Sequence, residues 1–89
     1  MVKSGTKKGT YTFSLTDRGF GKVFVAGDFS GWEPVAMRKQ KGLFSVTATL
    51  PAGRHQYKFI ADGTWLLDPD NQDRAASPMG TINSVVSAK

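Results

Sequence analysis

Hydrophobic and polar residues alternate with a period of two along much of this 89-residue chain. Tyr11, Phe13 and Leu15 alternate with threonine and serine, and the same alternation returns in residues 44–50 and 55–61. A period of two places every second side chain on the same face of a β-strand. These segments are therefore predicted to be strands with one face turned toward a core.

Other segments are predicted to be strands for different reasons. Within residues 22–26, both faces are apolar from Val23 onward and two of the residues are β-branched, as expected for a strand in the middle of a sheet. Further candidates are residues 35–38, 64–67 and 82–86. Turn-forming residues separate the segments, and no window has the i, i+3, i+4, i+7 spacing of an amphipathic helix. Short strands with turns between them predict an all-β sandwich or barrel.

The sequence Ala-Asp-Gly-Thr at residues 61–64 is the strongest local signal. Asp-Gly as a two-residue loop favours a type I′ turn, whose twist matches that of the flanking strands. Such a turn pairs Ala61 with Thr64, Ile60 with Trp65, and Phe59 with Leu66. Trp65 is then expected on the same face as Lys58, because the core face carries Tyr57 and Phe59.

The two tryptophans are predicted to be exposed, although tryptophans are most often buried. Trp65 falls on the face opposite the core, and Trp32 follows Gly31 in an irregular segment. The C–H face of a pyranose ring can lie on an indole, and covering about 50–80 Å² at about 25 cal/mol per Å² contributes about 1–2 kcal/mol. The residue types that could hydrogen-bond sugar hydroxyls nearby are Lys58, Thr81 and Asn83.

Composition narrows the class of protein. Twelve Lys and Arg against seven Asp and Glu give a formal charge of +5, and the lack of cysteine excludes disulfides and thiolate zinc sites. Residues 1–22 hold five basic residues and one carboxylate, so the other 67 residues carry only +1. We expect residues 1–8 to be a basic flexible tail and residues 9–89 a single domain. The apolar runs are much shorter than the roughly 20 residues that a membrane span needs. We therefore expect a cytoplasmic protein that does not contact a membrane.

Catalytic and metal-binding functions are not expected. His55 is the sole histidine and Glu33 the sole glutamate, and no pair of carboxylates stands out for glycoside hydrolysis. His55 lies on the core parity of its strand, which predicts a hydrogen-bonded structural role. Residues 68–79 differ from a calcium-binding EF-hand loop, which requires Gly and Glu where Asp73 and Met79 stand. We therefore expect no catalytic residue, no metal and no cofactor.

Several separated motifs occur in a recognisable order. They are residues 23–32 (Val-Phe-Val-Ala-Gly-Asp-Phe-Ser-Gly-Trp), residues 50–65, Asp68-Pro69, and residues 80–86 (Gly-Thr-Ile-Asn-Ser-Val-Val). Together they resemble carbohydrate-binding module family 48, which includes the glycogen-binding domain of the AMP-activated kinase β subunit and the N-terminal domains of isoamylase and branching enzymes. The resemblance implies an immunoglobulin-like (early-set) β-sandwich of about seven short antiparallel strands that binds α-1,4-linked glucan without catalysis.

The same resemblance implies roles for particular residues. The side chains that it places against sugars are Trp32 and Trp65 as stacking surfaces, Lys58 and Asn83 as hydrogen-bonding groups, and Thr81 as a further contact. Met79 stands where the kinase-type domain has a leucine that supports the ring of sugars, and Ser30-Gly31 replaces an Asn-rich loop. The implied ligand is an α-glucan polysaccharide or oligosaccharide, and the implied partner is a glucan-metabolising enzyme or a kinase subunit.

Two other functions stay open at this point. A basic β-domain with exposed aromatics could bind single-stranded nucleic acid, but the positive charge lies mainly in the first 22 residues. The carboxylates expected near the tryptophans, which would repel phosphates, are Asp28, Glu33, Asp62 and Asp68. A protein-interaction or regulatory module that uses a free sheet edge needs no residue signature.

Overall fold

The computed structural model describes residues 1–5, 7–77 and 80–89, and it consists of two antiparallel β-sheets packed face to face. The strands are β1 Val2–Ser4, β2 Thr10–Thr16, β3 Val23–Gly27, β4 Val35–Ala36, β5 Arg38–Gln40, β6 Leu43–Thr49, β7 Gly53–Ala61, β8 Thr64–Leu66, β9 Arg74–Ala76 and β10 Ile82–Ala88. The smaller sheet has the order β1-β2-β6-β5. The larger sheet has the order β4-β3-β7-β10-β9, and β8 also pairs with β7. The predicted all-β sandwich is confirmed.

The core lies between the sheets and follows the predicted alternation. Phe13 and Leu15 of β2 are buried, as are Tyr57 and Phe59 of β7. The ring centroids of Phe13 and Tyr57, one from each sheet, lie 4.9 Å apart in an edge-to-face arrangement, which is a favoured geometry for aromatic pairs. The outer face of each sheet is therefore left for polar side chains and for binding.

The β7–β8 hairpin has the predicted pairing, Ala61 with Thr64, Ile60 with Trp65, and Phe59 with Leu66. Asp62 and Gly63 both have positive φ, at 50° and 86°, as a type I′ turn requires. The Asp62 carboxylate also accepts the backbone N–H groups of Gly21 and Lys22, and these bonds lower the pKa of Asp62. The turn is thereby tied to the loop that precedes β3.

The first residues differ from the predicted flexible tail. Val2–Ser4 forms an edge strand, β1, that pairs with β2. The Met1 ammonium contacts the Asp68 carboxylate at 2.5 Å and donates to the Ser14 carbonyl at 2.7 Å. Val2 is partly buried and packs against the core. This contact and the pairing with β2 hold the segment in place, although its lysine content alone suggests a solvated tail.

The described residues form ten strands, where about seven were expected. The single strand predicted over residues 35–38 becomes β4 and β5, which belong to different sheets. Met37 between them is buried and donates its N–H to the Val23 carbonyl at 2.9 Å, so the chain changes sheets at this residue. Strand β9 falls in a stretch that turn-forming residues predict to be irregular, and it pairs with β10.

Asp68 does not border the tryptophans, so that expectation is wrong. Its side chain is fully buried and accepts a hydrogen bond from the Tyr57 hydroxyl at 2.6 Å, and Asn71 donates to the same phenol oxygen at 2.9 Å. Burial, with a contribution from the Asp68 charge, raises the pKa of Tyr57. This buried network joins β7 to the loop that precedes β9.

Across the three described ranges, none of the helical structure is long and apolar enough to cross a membrane.

Candidate functional site

A groove of about 680 Å³ runs over the outer face of the larger sheet. Five of the side chains nominated from the sequence line it, namely Trp32, Lys58, Trp65, Thr81 and Asn83. The sixth, Met79, lies outside the described residues. The folded chain thus brings residues from three separated segments to one surface.

Trp65 reaches the groove because of the β7–β8 hairpin. The tight turn fixes Trp65 opposite Ile60 on the outer face, where the Ile60 side chain is almost fully buried and Trp65 is 50% exposed. A shift of the pairing by one residue would move the indole to the core face. The turn residues Asp62 and Gly63 therefore determine the position of this aromatic surface.

Trp32 reaches the groove from the other side of β7. A short 3₁₀ turn over Asp28–Ser30 follows β3, and Trp32 donates its N–H to the Gly27 carbonyl at 2.8 Å. Phe29 within the turn stacks on the core residue Phe13, with the ring centroids 5.2 Å apart. The turn is thus anchored in the core while its tryptophan is 38% exposed.

The backbone of Trp32 has φ of +63°. This left-handed conformation costs a bulky residue about 1–3 kcal/mol and is common at binding sites. Gly27 cannot be replaced freely either, because a Cβ there would lie 2.6 Å from the Gln56 carbonyl oxygen. The surrounding contacts hold the indole in place against its local backbone preference.

Lys58 occupies the middle of the groove. It lies on β7 opposite Ala26 of β3, between the strand that leads to Trp32 and the strand that carries Trp65. No hydrogen bond or ion pair engages the Lys58 ammonium among the described residues. Its three N–H donors are consequently free for a ligand.

Further hydrogen-bonding side chains of the groove come from β10 and from residues that precede it. Asn83 on β10 is only 4% exposed and donates from Nδ2 to Gln56 Oε1 at 2.8 Å. The Thr81 and Ser77 hydroxyls are 2.7 Å apart. These contacts fix the side chains before any ligand arrives.

Asp28, the first residue of the turn that leads to Trp32, is hydrogen-bonded to His55. Asp28 Oδ1 lies 2.8 Å from His55 Nδ1, and Asp28 Oδ2 accepts the Gln56 N–H at 2.9 Å. His55 Nε2 lies 2.7 Å from the Pro51 carbonyl oxygen. Burial acts to lower the pKa of His55, but the hydrogen bonds to Pro51 and Asp28 outweigh it, so the pKa is raised. The predicted hydrogen-bonded role of His55 is confirmed.

Three groove residues were not nominated from the sequence: Asp28, Gln56 and Ser77. Gln56 shares the outer parity of Lys58, so strand periodicity alone could have placed it at the site. The sequence indicates Asp28 only as a charge that repels phosphate, whereas in the structure both of its carboxylate oxygens take part in hydrogen bonds. Ser77 follows the unpredicted strand β9, and no local pattern indicates it.

An all-β sandwich with two exposed indoles and free hydrogen-bonding groups in one groove has the features of a carbohydrate-binding module. The sequence matches the family described as the glycogen recognition site of AMP-activated protein kinase over residues 10–89. The chain belongs to this family. The assignment agrees with the resemblance to carbohydrate-binding module family 48 and supports carbohydrate binding.

Curated relatives include subunits of 5'-AMP-activated protein kinase. The beta-1 subunit of Sus scrofa is 36% identical over 68 residues, an overlap of 76% of this chain and 55% of the relative. The Homo sapiens beta-1 subunit shows the same identity over 25% of its length, and the Mus musculus beta-2 subunit is 38% identical over 69 residues, also 25% of its length. The chain therefore spans between a quarter and about half of these relatives.

Solved structures with low sequence identity share the fold. A maltogenic amylase from S. marinus superposes with a TM-score of 0.84 at 22% identity, over 100% of this chain and 16% of the amylase. An enterobactin esterase from Shigella flexneri superposes with a TM-score of 0.76 at 16% identity, over 98% of this chain and 32% of the esterase. At such identities the comparison establishes the immunoglobulin-like sandwich.

Proposed function

We propose that the chain is a non-catalytic module that binds α-1,4-linked glucan, such as glycogen, starch or maltooligosaccharides. Trp32 and Trp65 stack on sugar rings, and Lys58, Asn83 and Thr81 hydrogen-bond to hydroxyls, with Met79 as an apolar contact. The observation that carries the proposal is the position of two exposed indoles and a free lysine ammonium in one groove. The family and its kinase-subunit relatives support the same ligand class.

The interaction energies suit a neutral sugar polymer. Each stacked ring contributes about 1–2 kcal/mol from covered apolar area, and each hydrogen bond a net about 0.5–1.5 kcal/mol. No single contact gives tight binding. Affinity therefore depends on one ligand reaching both indoles and the polar groups together.

The groove chemistry supports binding rather than hydrolysis. Glycoside hydrolysis requires two carboxyl groups placed on either side of the scissile bond. Asp28 is the one carboxylate among the described residues of the groove, and its two oxygens already engage His55 and the Gln56 N–H. We propose that the module acts in the cytoplasm beside a glucan-metabolising enzyme or kinase subunit, which it brings to the polymer.

Replacement of Trp65 tests the proposal. We expect Trp65→Ala to weaken binding of maltoheptaose by about 5–30-fold, because it removes about 1–2 kcal/mol of stacking, and to abolish retention on immobilised amylose. Isothermal titration calorimetry gives the affinity. Circular dichroism should show an unchanged fold, since the indole lies outside the core.

Leu43→Ala is the matched control, because Leu43 is 41% exposed on the outer face of the other sheet. It should leave maltoheptaose affinity unchanged. Wild-type affinity in the Trp65→Ala variant, or unfolding of that variant, would contradict the stacking role.

A further inference from the structure

Gln56 lines the groove and is held there by two hydrogen bonds. Its backbone N–H donates to Asp28 Oδ2 at 2.9 Å, so it is tied to the turn that carries Trp32. Its side chain points to the outer face, two residues before Lys58, and lines the groove. Gln56 therefore connects the Trp32 side of the groove to Asn83 on β10.

The hydrogen bond between Gln56 and Asn83 determines which groups the pair presents. Asn83 Nδ2 donates to Gln56 Oε1 at 2.8 Å, so Asn83 Oδ1 and Gln56 Nε2 stay without a partner among the described residues. Among all the described residues, every buried side-chain nitrogen or oxygen has a hydrogen-bond partner, so an atom without a partner must be accessible. Asn83 Oδ1 and Gln56 Nε2 are therefore accessible in the groove that both residues line, the first as an acceptor and the second as a donor.

We propose that Gln56 is a further sugar-binding residue with two roles at this site, an inference that rests on the proposed glucan function. Gln56 Oε1 positions the Asn83 amide so that Asn83 Oδ1 accepts a hydrogen bond from the ligand. Gln56 Nε2 itself donates to a neighbouring hydroxyl. A sugar hydroxyl both donates and accepts, so adjacent hydroxyls of one glucose unit match this acceptor and donor pair.

Two substitutions separate the roles. In Gln56→Glu, a carboxylate oxygen still accepts from Asn83 Nδ2 but the donor is lost, so we expect maltoheptaose affinity to fall about threefold, the loss of one modest hydrogen bond. In Gln56→Met, which has similar length, both roles are lost and affinity should fall about tenfold. Arg54→Met is the control, because Arg54 lies on the same face of β7 outside the groove, and it should bind like the wild type.

A double-mutant cycle tests the positioning role. If Gln56 acts partly through Asn83, Gln56→Met should cost only about threefold in an Asn83→Ala background, the contribution of the donor alone. Effects that multiply in full would overturn positioning, and wild-type affinity in Gln56→Met would overturn both roles.

A measurement without sugar separates this inference from the proposed function. In ¹⁵N-resolved NMR spectra, the Asn83 side-chain amide resonances should shift in Gln56→Met and stay near their wild-type positions in Arg54→Met. Unchanged resonances in Gln56→Met would refute positioning even if glucan binds. If the wild type fails to bind maltoheptaose, the proposed function fails and the sugar-contact role fails with it. If the wild type binds and Trp65→Ala weakens binding while Gln56→Met does not, only the inference about Gln56 fails.

Discussion

His55 is placed between two hydrogen-bond acceptors, the Pro51 carbonyl and the Asp28 carboxylate. A neutral imidazole has one N–H and can serve only one of them, whereas an imidazolium donates to both. This arrangement explains why the pKa of His55 is raised despite its burial. When His55 is protonated, it therefore donates to both acceptors and stabilises the turn that begins at Asp28 and carries Trp32.

Stability should depend on pH through His55. Because the folded-state pKa lies above the unfolded value, the stabilisation is fully present below about pH 6.5 and is lost as pH rises through the folded pKa. NMR titration should give a His55 pKa above 6.5 in the wild type and a lower value in Asp28→Asn. The thermal midpoint should fall with rising pH across this window, and fall less in Asp28→Asn. An equal pKa in the two proteins would show that Asp28 does not hold the charge.

At the scale of elements, the 3₁₀ turn depends on the close approach of β3 to β7. A Cβ on Gly27 would lie 2.5 Å from Phe29 Cε1 and 2.6 Å from the Gln56 carbonyl oxygen. Such overlap forces the turn away from its position, because the backbone of β7 cannot yield as a flexible side chain would. The placement of Trp32 is thus a property of two strands and a turn together.

Gly27→Ala should destabilise the protein by about 1–3 kcal/mol and weaken maltoheptaose binding, because Phe29 and the Trp32 turn must move. Urea denaturation and calorimetry measure the two effects. The comparison variant is Gly31→Ala, which meets open space and carries only the cost of its left-handed backbone, about 1–2 kcal/mol. Wild-type stability in Gly27→Ala would show that the strands can separate without penalty.

At the scale of the whole molecule, the charge distribution favours a neutral ligand. The formal charge is +5, yet Lys58 is the one basic side chain among the described residues of the groove. Binding to a neutral glucan releases no condensed counterions, whereas binding to nucleic acid does. Ionic strength therefore separates the two ligand classes.

Maltoheptaose affinity should change by less than about twofold between about 50 mM and about 200 mM salt, while any binding of single-stranded DNA should weaken steeply over that range. Tryptophan fluorescence titrations with both ligands measure this difference. Salt-sensitive DNA binding with no response to sugar would instead favour a nucleic-acid-binding domain.

Local signals predicted much of the fold. The register of the β7–β8 hairpin follows from Asp62-Gly63, and the outward position of Trp65 follows from that register. Strand β1 depends on pairing with the next strand, β2, and on one partly buried valine, neither of which composition alone indicates. Burial of Asp68 likewise depends on Tyr57, eleven residues away, and no local pattern indicates this contact.

Residue type and strand parity were enough to predict some residues that line the candidate groove, but not the contacts that require two strands to pair. Trp32, Lys58 and Trp65 were nominated on chemistry and exposure, and they line one groove. The Gln56–Asn83 bond joins residues 27 positions apart and requires the β7–β10 register, which no turn specifies. Long-range pairing is thus the part of the site that a single sequence leaves undetermined.

Strands β3 and β8 flank β7 on opposite edges and are two interstrand spacings apart, about 10 Å. Trp65 stands on β8 and Trp32 follows the turn beyond β3, so the two indoles come from opposite sides of β7. A single glucose molecule is too small to cover both indoles and would leave one of them exposed to water. The module would thus respond to the length of a sugar chain rather than to the amount of dissolved sugar. In a cell rich in glucose but poor in its polymer, such a protein would stay unoccupied.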